Sequence, residues 1–294
     1  MAAPMNEVTI RVPATTANLG PGYDCLGAAL QIYNYVSVAR AESATVLAMP
    51  AAAADEFFAR SGVAPFPFSW RIAGDVPQSR GLGSSVTVRL GLLHGLNALS
   101  GAGLDAGGLF EICARLEGHP DNAAPAAFGG FTVARAGAET LRCEVSEALR
   151  FVLLIPDFEI STPAARAVLP GTLDRLGAVE SCGNACRITA AFFQRRYDLL
   201  RGSFADHLHQ PFRERLIPFL GKVIAAGESA GALAGFLSGS GSMICCLALS
   251  NPETVAQAML DAAGQPRART VIASADNAGA LPAAAIWENR RSQP

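Results

Sequence analysis

The run Arg80-Gly81-Leu82-Gly83-Ser84-Ser85 constrains this chain more than any other, because two glycines and two hydroxyls stand between a turn-rich stretch and a helix-forming one. Glycine takes positive φ freely and lets backbone approach a ligand closely, and the first amides of a helix lack acceptors of their own. Val86 to Leu99 carries Leu90, Leu93 and Leu96 at helical spacing, so the loop is expected to open a helix whose positive end faces an anion such as phosphate. Read alone, the same residues also describe a glycine-rich helix start capped by serine.

The 294 residues exceed the roughly 250 that one core usually serves, which points to two domains. The apolar run Phe151 to Ile155 followed by Pro156 marks the division, giving residues 1–155 and 156–294. In the first part, strands are expected at Val8 to Val12, Gln31 to Arg40, Phe66 to Ile72 and Phe128 to Arg135. Helices are expected at Ala51 to Arg60, from Val86, and at Asp105 to Leu116, with Pro13 to Gly22 an irregular loop. The second part reads as helices at Ala178 to Leu200, Pro211 to Ala226 and Pro252 to Ala263, with strands at Ala232 to Leu237, Met243 to Leu249 and Arg269 to Ile272. Strict βαβ alternation is missing, so the class is α+β.

Several function classes are excluded. No apolar run reaches the roughly 18 residues of a membrane span, and Asn6 and Glu7 interrupt the start where an export signal needs an apolar centre, so a soluble cytoplasmic protein is expected. The seven cysteines form no C-x-x-C pair, which argues against a disulfide framework or zinc ribbon and suggests that most are buried. Net charge is −2 with no basic cluster, the tail pair Arg290-Arg291 being too short to count; nucleic-acid binding is not expected. Lys222 is the only lysine among 23 basic residues, which removes a lysine-bearing P-loop and the protein-kinase lysine. Backbone and helix ends must therefore do most of the work on any phosphate.

Three further segments carry polar groups suited to chemistry. Pro13 to Asp24 holds Asn18 and Asp24 on irregular backbone, where they could bind a small polar substrate or simply satisfy turn amides. Glu117-Gly118-His119-Pro120-Asp121-Asn122 gathers two carboxylates, an imidazole and an amide at a helix end; Glu117 with the Ser85 hydroxyl and nucleotide phosphates would suffice for Mg²⁺. Ser238-Gly239-Ser240-Gly241 joins two apolar strands as a plain hairpin loop or presses its backbone on a ligand. His207 and His209 lack companion ligands and read as surface residues.

Taken in this order, PATTANLGPGYDCLG (Pro13 to Gly27), RGLGSS and EGHPDNAAPAAFGG (Glu117 to Gly130) resemble the GHMP kinase superfamily, and within it the homoserine kinases. Asn184-Ala185-Cys186-Arg187, Gln210-Pro211-Phe212-Arg213 and the SGSG loop continue the resemblance over nearly the whole chain. It implies a half like the second domain of ribosomal protein S5 joined to a ferredoxin-like half, with the active site between. It also implies ATP-dependent phosphorylation of the L-homoserine hydroxyl in threonine biosynthesis, and possible homodimers. ATP would lie over Arg80, Gly81, Leu82, Gly83, Ser84 and Ser85; Ser85 and Glu117 would hold Mg²⁺; and Asn18, Asp24, His119, Asp121, Asn184, Arg187, Arg213 and Gly239 would surround the amino acid. Asp24, Asn18 and Arg187 would be the catalytic set, Asp24 orienting the attacking hydroxyl. Two departures stand out: Ser242-Met243 after SGSG, and Val86-Thr87-Val88-Arg89 where alanines usually open the helix. Arg89 is expected to face solvent. The alternatives are a kinase of another small hydroxy amino acid or alcohol, and a ligand-binding relative without turnover.

Overall fold

The computed structural model describes residues 6–42 and 48–283; the residues before Asn6 and the pair Arg290-Arg291 lie outside them. In the first half the elements are β1 (Glu7–Ala17), β2 (Leu26–Arg40), α1 (Ala48–Ser61), β3 (Phe68–Gly74), α2 (Ser84–Ser100), α3 (Ala106–Glu117), α4 (Ala123–Phe128), β4 (Phe131–Val133) and β5 (Leu141–Cys143). There follow β6 (Arg150–Ile155), α5 (Thr162–Ala167), α6 (Arg175–Phe193), α7 (Gln210–Arg213), α8 (Leu220–Ser229), β7 (Ala234–Leu237), β8 (Ile244–Ala248), α9 (Pro252–Ala263), β9 (Arg269–Ala273) and β10 (Leu281–Pro282). Two antiparallel sheets result, β10-β1-β2-β4-β5 with β3 also on β2, and β7-β8-β6-β9. Among the described residues no helix is long and apolar enough to cross a membrane.

β1 does not stop at Val12. It continues through Pro13 to Ala17 against Gly27 to Leu30 of β2, after a register shift between Pro13 and Ala14. The proline thus sits at an irregularity, where a missing ladder donor is tolerated. The irregular loop is confined to the segment between β1 and β2, which is what brings Asn18 and Asp24 to the end of the sheet. The expected strand from Phe128 is three residues long, because Phe128 itself closes α4. The single helices expected at Ala178 to Leu200 and Pro211 to Ala226 are each broken, the first after Phe193 and the second around Pro218. The chain changes sheets before Arg150, since β6 pairs with β8 and β9; the division expected at Pro156 would separate a central strand from its neighbours.

Three apolar clusters hold the fold. Ile10, Val12, Val36 and Val38 of the first sheet meet Leu90, Leu93 and Leu96 of α2. The second sheet packs on α8 and α9 through Val223, Val255 and Met259. The third cluster joins the halves: Leu26, Leu30 and Phe131 share one core with Phe151, Phe192 and Phe236. Phe131 stacks on Phe192 with centroids 4.2 Å apart and planes 4° from parallel. Truncating either fully buried ring is worth about 3–5 kcal/mol, so this contact fixes how one half sits on the other. Cysteines contribute less to the cores than expected. Cys113, Cys245 and Cys246 are buried, whereas Cys182 and Cys186 are exposed on α6, whose other face covers the shared core; all seven are free.

Candidate active site

A cleft of about 420 Å³ lies where the two halves meet, and most of the residues singled out in the sequence line it. Its first wall is the Gly81–Ser85 loop. Gly81 has φ +80° and an added Cβ would lie 2.2 Å from the Ser238 carbonyl oxygen; Gly83 has φ +67° and a Cβ would lie 2.2 Å from Thr15 Oγ1. Both positions need glycine for conformation and for space. Gly83 is the N-cap of α2 and no side chain caps the helix, so the reading with serine as cap does not hold. The first-turn amides have no acceptor within the helix, and Ser84, Ser85 and Val86 of that turn line the cleft. The loop is strapped to both halves: Thr15 N–H donates to the Leu82 carbonyl at 3.1 Å, Met243 N–H to that of Arg80 at 3.1 Å, and Ser238 Oγ to that of Gly81 at 2.7 Å. Arg80 and Leu82 do not line the cleft. Arg80 Nε donates to the Pro156 carbonyl at 3.1 Å, and Leu82 is buried in the core.

Ser85 Oγ donates to Glu117 Oε2 at 3.1 Å. A hydroxyl and a carboxylate oxygen this close, both on the cleft wall, are hard donors that fit a magnesium ion. Arg89 does not face solvent as expected. It lies four residues beyond Ser85 on α2, on the same helix face, and its Nη1 donates to Glu117 Oε1.

At the other end Asn18 and Asp24 adopt left-handed backbone, φ 71° and 56°, which Asn and Asp tolerate better than most residues. Of the two roles considered for Asn18, the turn-amide role is the one seen: its Oδ1 accepts from the Asp24 amide at 3.0 Å, and its Nδ2 donates to the Gly239 carbonyl at 2.9 Å, tying the two halves together across the cleft. His119 Nδ1 and Asp121 Oδ1 are 2.6 Å apart, and the bond to Asp121 pushes the imidazole pKa up against the opposing effect of burial. Oxygen and nitrogen atoms of Asp24, His119 and Asp121 lie within 4.8 Å of one another.

Two arginines face these acids. Arg213 is buried, which lowers its pKa, and donates through Nη1 to the Gly239 carbonyl at 2.9 Å and to His209 Nδ1 at 3.1 Å. Arg166, on α5, was not singled out in the sequence. Its Nη2 donates to both Asp24 oxygens at 2.9 and 3.0 Å, and its Nη1 to Tyr23 Oη at 2.8 Å. The available signal was Ser161-Thr162-Pro163, a helix start with cap and proline, which places Arg166 on the second turn of a helix at the cleft. Asn184 and Arg187 are not in the cleft. Packing of Ile188 and Phe192 turns Arg187 outward, where its Nε donates to Ser203 Oγ at 3.1 Å; Asn184 donates to the Ala205 carbonyl at 3.0 Å. Both brace the segment leading to His209.

His209 is no surface residue. It is fully buried, stacks on Tyr23 with centroids 5.1 Å apart, and its Nε2 lies 2.9 Å from the Gly20 carbonyl. That carbonyl requires the proton on Nε2, leaving Nδ1 to accept from Arg213; burial lowers the pKa and favours this neutral form. His207, by contrast, is exposed beside Glu180.

The chain matches the model of the GHMP kinases N terminal domain over residues 46–130 and that of the GHMP kinases C terminal over 189–266. It is similar to a homoserine kinase of Moorella thermoacetica, 37% identical over 267 residues that cover 85% of this chain and 90% of the relative. A homoserine kinase of Caldicellulosiruptor bescii is 34% identical over 294 residues, 93% of this chain and 96% of the relative. The crystal structure of homoserine kinase from Cytophaga hutchinsonii superposes with a TM-score of 0.87 over 96% of this chain and 99% of that one; at 23% identity it speaks for the fold.

Proposed function

The chain belongs to the GHMP kinase family, and from that premise we propose that it transfers the γ-phosphoryl group of ATP to the side-chain hydroxyl of L-homoserine, giving O-phospho-L-homoserine and ADP. One observation carries the substrate: a single cleft joins a phosphate-type loop at one end to charges of both signs at the other, Arg166 and Arg213 against Asp24 and Asp121. A neutral sugar has no use for that pattern; a zwitterion does. The guanidinium groups of Arg166 and Arg213 suit the α-carboxylate, and the Asp121 carboxylate, with His119 beside it, takes the ammonium side.

Gly81 and Gly83 let the loop close on the triphosphate, and Ser84 and Ser85 present the α2 amides to it. Ser85 and Glu117 would hold Mg²⁺, which when bound neutralises charge on the phosphate oxygens. Asn18 fixes the Asp24 amide, and Asp24 accepts a hydrogen bond from the attacking hydroxyl and aims it at the γ-phosphorus. The new O–P bond forms as the bond to the β–γ bridging oxygen breaks, and the hydroxyl proton passes to an oxygen of the transferred phosphoryl group and from there to solvent as transfer completes. Such reactions depend on alignment more than on a strong base, so Asp24 positions rather than deprotonates. Asp24→Asn is then expected to keep a measurable fraction of turnover, and complete loss with intact homoserine binding would assign it as base. The reading further places the enzyme in the cytoplasm and allows a homodimer.

The test is ADP release by the purified protein with Mg-ATP and L-homoserine, L-serine, L-threonine, mevalonate or galactose. Preference for homoserine supports the reading. Preference for another acceptor replaces the substrate, and ATP binding without turnover of any acceptor replaces the enzyme with a binding protein.

A further inference from the structure

Among the described residues three carboxylates line the cleft, and each has a basic partner: Asp24 has Arg166, Asp121 has His119, and Glu117 has Arg89. The first two pairs belong to the amino-acid end. The third stands on the assigned metal position, where a positive charge opposes a cation. Arg89 is not itself part of the cleft wall, and the side chains of Arg89 and Glu117 are only 18% and 10% exposed, so bulk water and salt screen their contact less than a surface pair.

We infer that Arg89 is a positioning residue that makes divalent-cation binding at Ser85 and Glu117 conditional on nucleotide phosphate, an inference that rests on the kinase reading above. A hard cation draws its affinity from ligand charge, and Arg89 cancels the one charge that Glu117 brings. The cation therefore meets a hydroxyl and a compensated carboxylate, and the remaining attraction must come from phosphates that arrive with ATP. Geometry acts in the same direction. Arg89 occupies Oε1 and Ser85 stands at Oε2, so the carboxylate offers the cleft one oxygen rather than a chelating pair. Single-oxygen attachment suits an ion whose other positions go to water and phosphate.

The test titrates MnCl2 into the full-length protein and follows free Mn²⁺ by electron paramagnetic resonance, with and without ATP. Arg89→Met is expected to bind Mn²⁺ without nucleotide about tenfold more tightly than wild type, the effect of removing a unit charge a few ångströms from a divalent ion in a wet cleft. Arg89→Lys should restore wild-type behaviour, and Glu117→Gln in the Met background should abolish the gain. With ATP present the difference between wild type and Arg89→Met should shrink. Absence of a gain in Arg89→Met, or a gain that survives Glu117→Gln, overturns the inference while leaving the kinase reading intact. Should Glu117→Gln alone leave binding of the Mn²⁺–ATP complex unchanged, the metal assignment falls, and this inference falls with it.

Discussion

The end of the cleft proposed for phosphate is built from consecutive residues and mostly from backbone, Gly81 to Ser85. The end proposed for the amino acid is built from side chains in four separate segments: Asn18 and Asp24 before β2, His119 and Asp121 after α3, Arg166 on α5 and Arg213 on α7. The first kind of site depends on what residues lack, since a Cβ at Gly81 or Gly83 has nowhere to go. The second depends on charge balance held by neighbours outside the ligand's reach, such as His209 behind Arg213. On the proposed reading a backbone site accepts any triphosphate, and selectivity comes from the assembled end.

The contrast can be broken most severely at Gly81. Gly81→Ala puts a methyl 2.2 Å from the Ser238 carbonyl on left-handed backbone, and is expected to lower kcat/KM for ATP by about a hundredfold or more, equivalent to about 3 kcal/mol of strain and misalignment. Fluorescent-ATP binding together with steady-state kinetics would check it. Arg213→Ala should act only at the other end, raising KM for homoserine by about 30- to 100-fold while KM for ATP stays near wild type. An equal loss on both substrates would deny that the ends are separable. His209→Ala should produce a smaller effect of the same sign, about tenfold in homoserine KM, because Arg213 keeps its carbonyl partner Gly239.

The mildest expectation concerns pH. Asp121 raises the His119 pKa, so the pair contributes stability that is fully present below the ordinary histidine value and is lost as pH rises through the folded-state value. In Asp121→Asn the largest raising influence is lost, leaving burial and the Arg166 charge to lower the pKa against the lesser pull of Asp24, and the NMR titration of the ring should move to lower pH. An unchanged midpoint would mean that the contact does not set the charge of His119.

The same contrast explains what could be read from the chain alone. Gly81 to Ser85 is a local pattern, and the helix after it runs where Leu90, Leu93 and Leu96 place it. Asn18, Asp24, His119 and Asp121 were legible because they sit in short motifs. Arg166 was not, since its value comes from α5 folding back over Asp24, 142 positions away in the chain. Arg187 and Asn184 sit in a motif as well, but packing of α6 turns them onto the segment before His209, and nothing in their spacing distinguishes that from a place in the cleft. Arg89 was misjudged by counting helix faces, an argument that ignores the carboxylate at the end of the next helix.

Residues after β9 leave the second sheet and return to the first. Ala275 bridges Leu30, the Asp276 amide and carbonyl bond Ala29 and Gly130, and β10 lies on β1. For a chain emerging from a ribosome, this return means that the first sheet cannot acquire its outer strand until Leu281 and Pro282 have been made. The edge of β1 stays open through that time and is a candidate for wrong pairing or chaperone capture. Nor can either half be cut away as an autonomous piece, so thermal unfolding should occur as one transition.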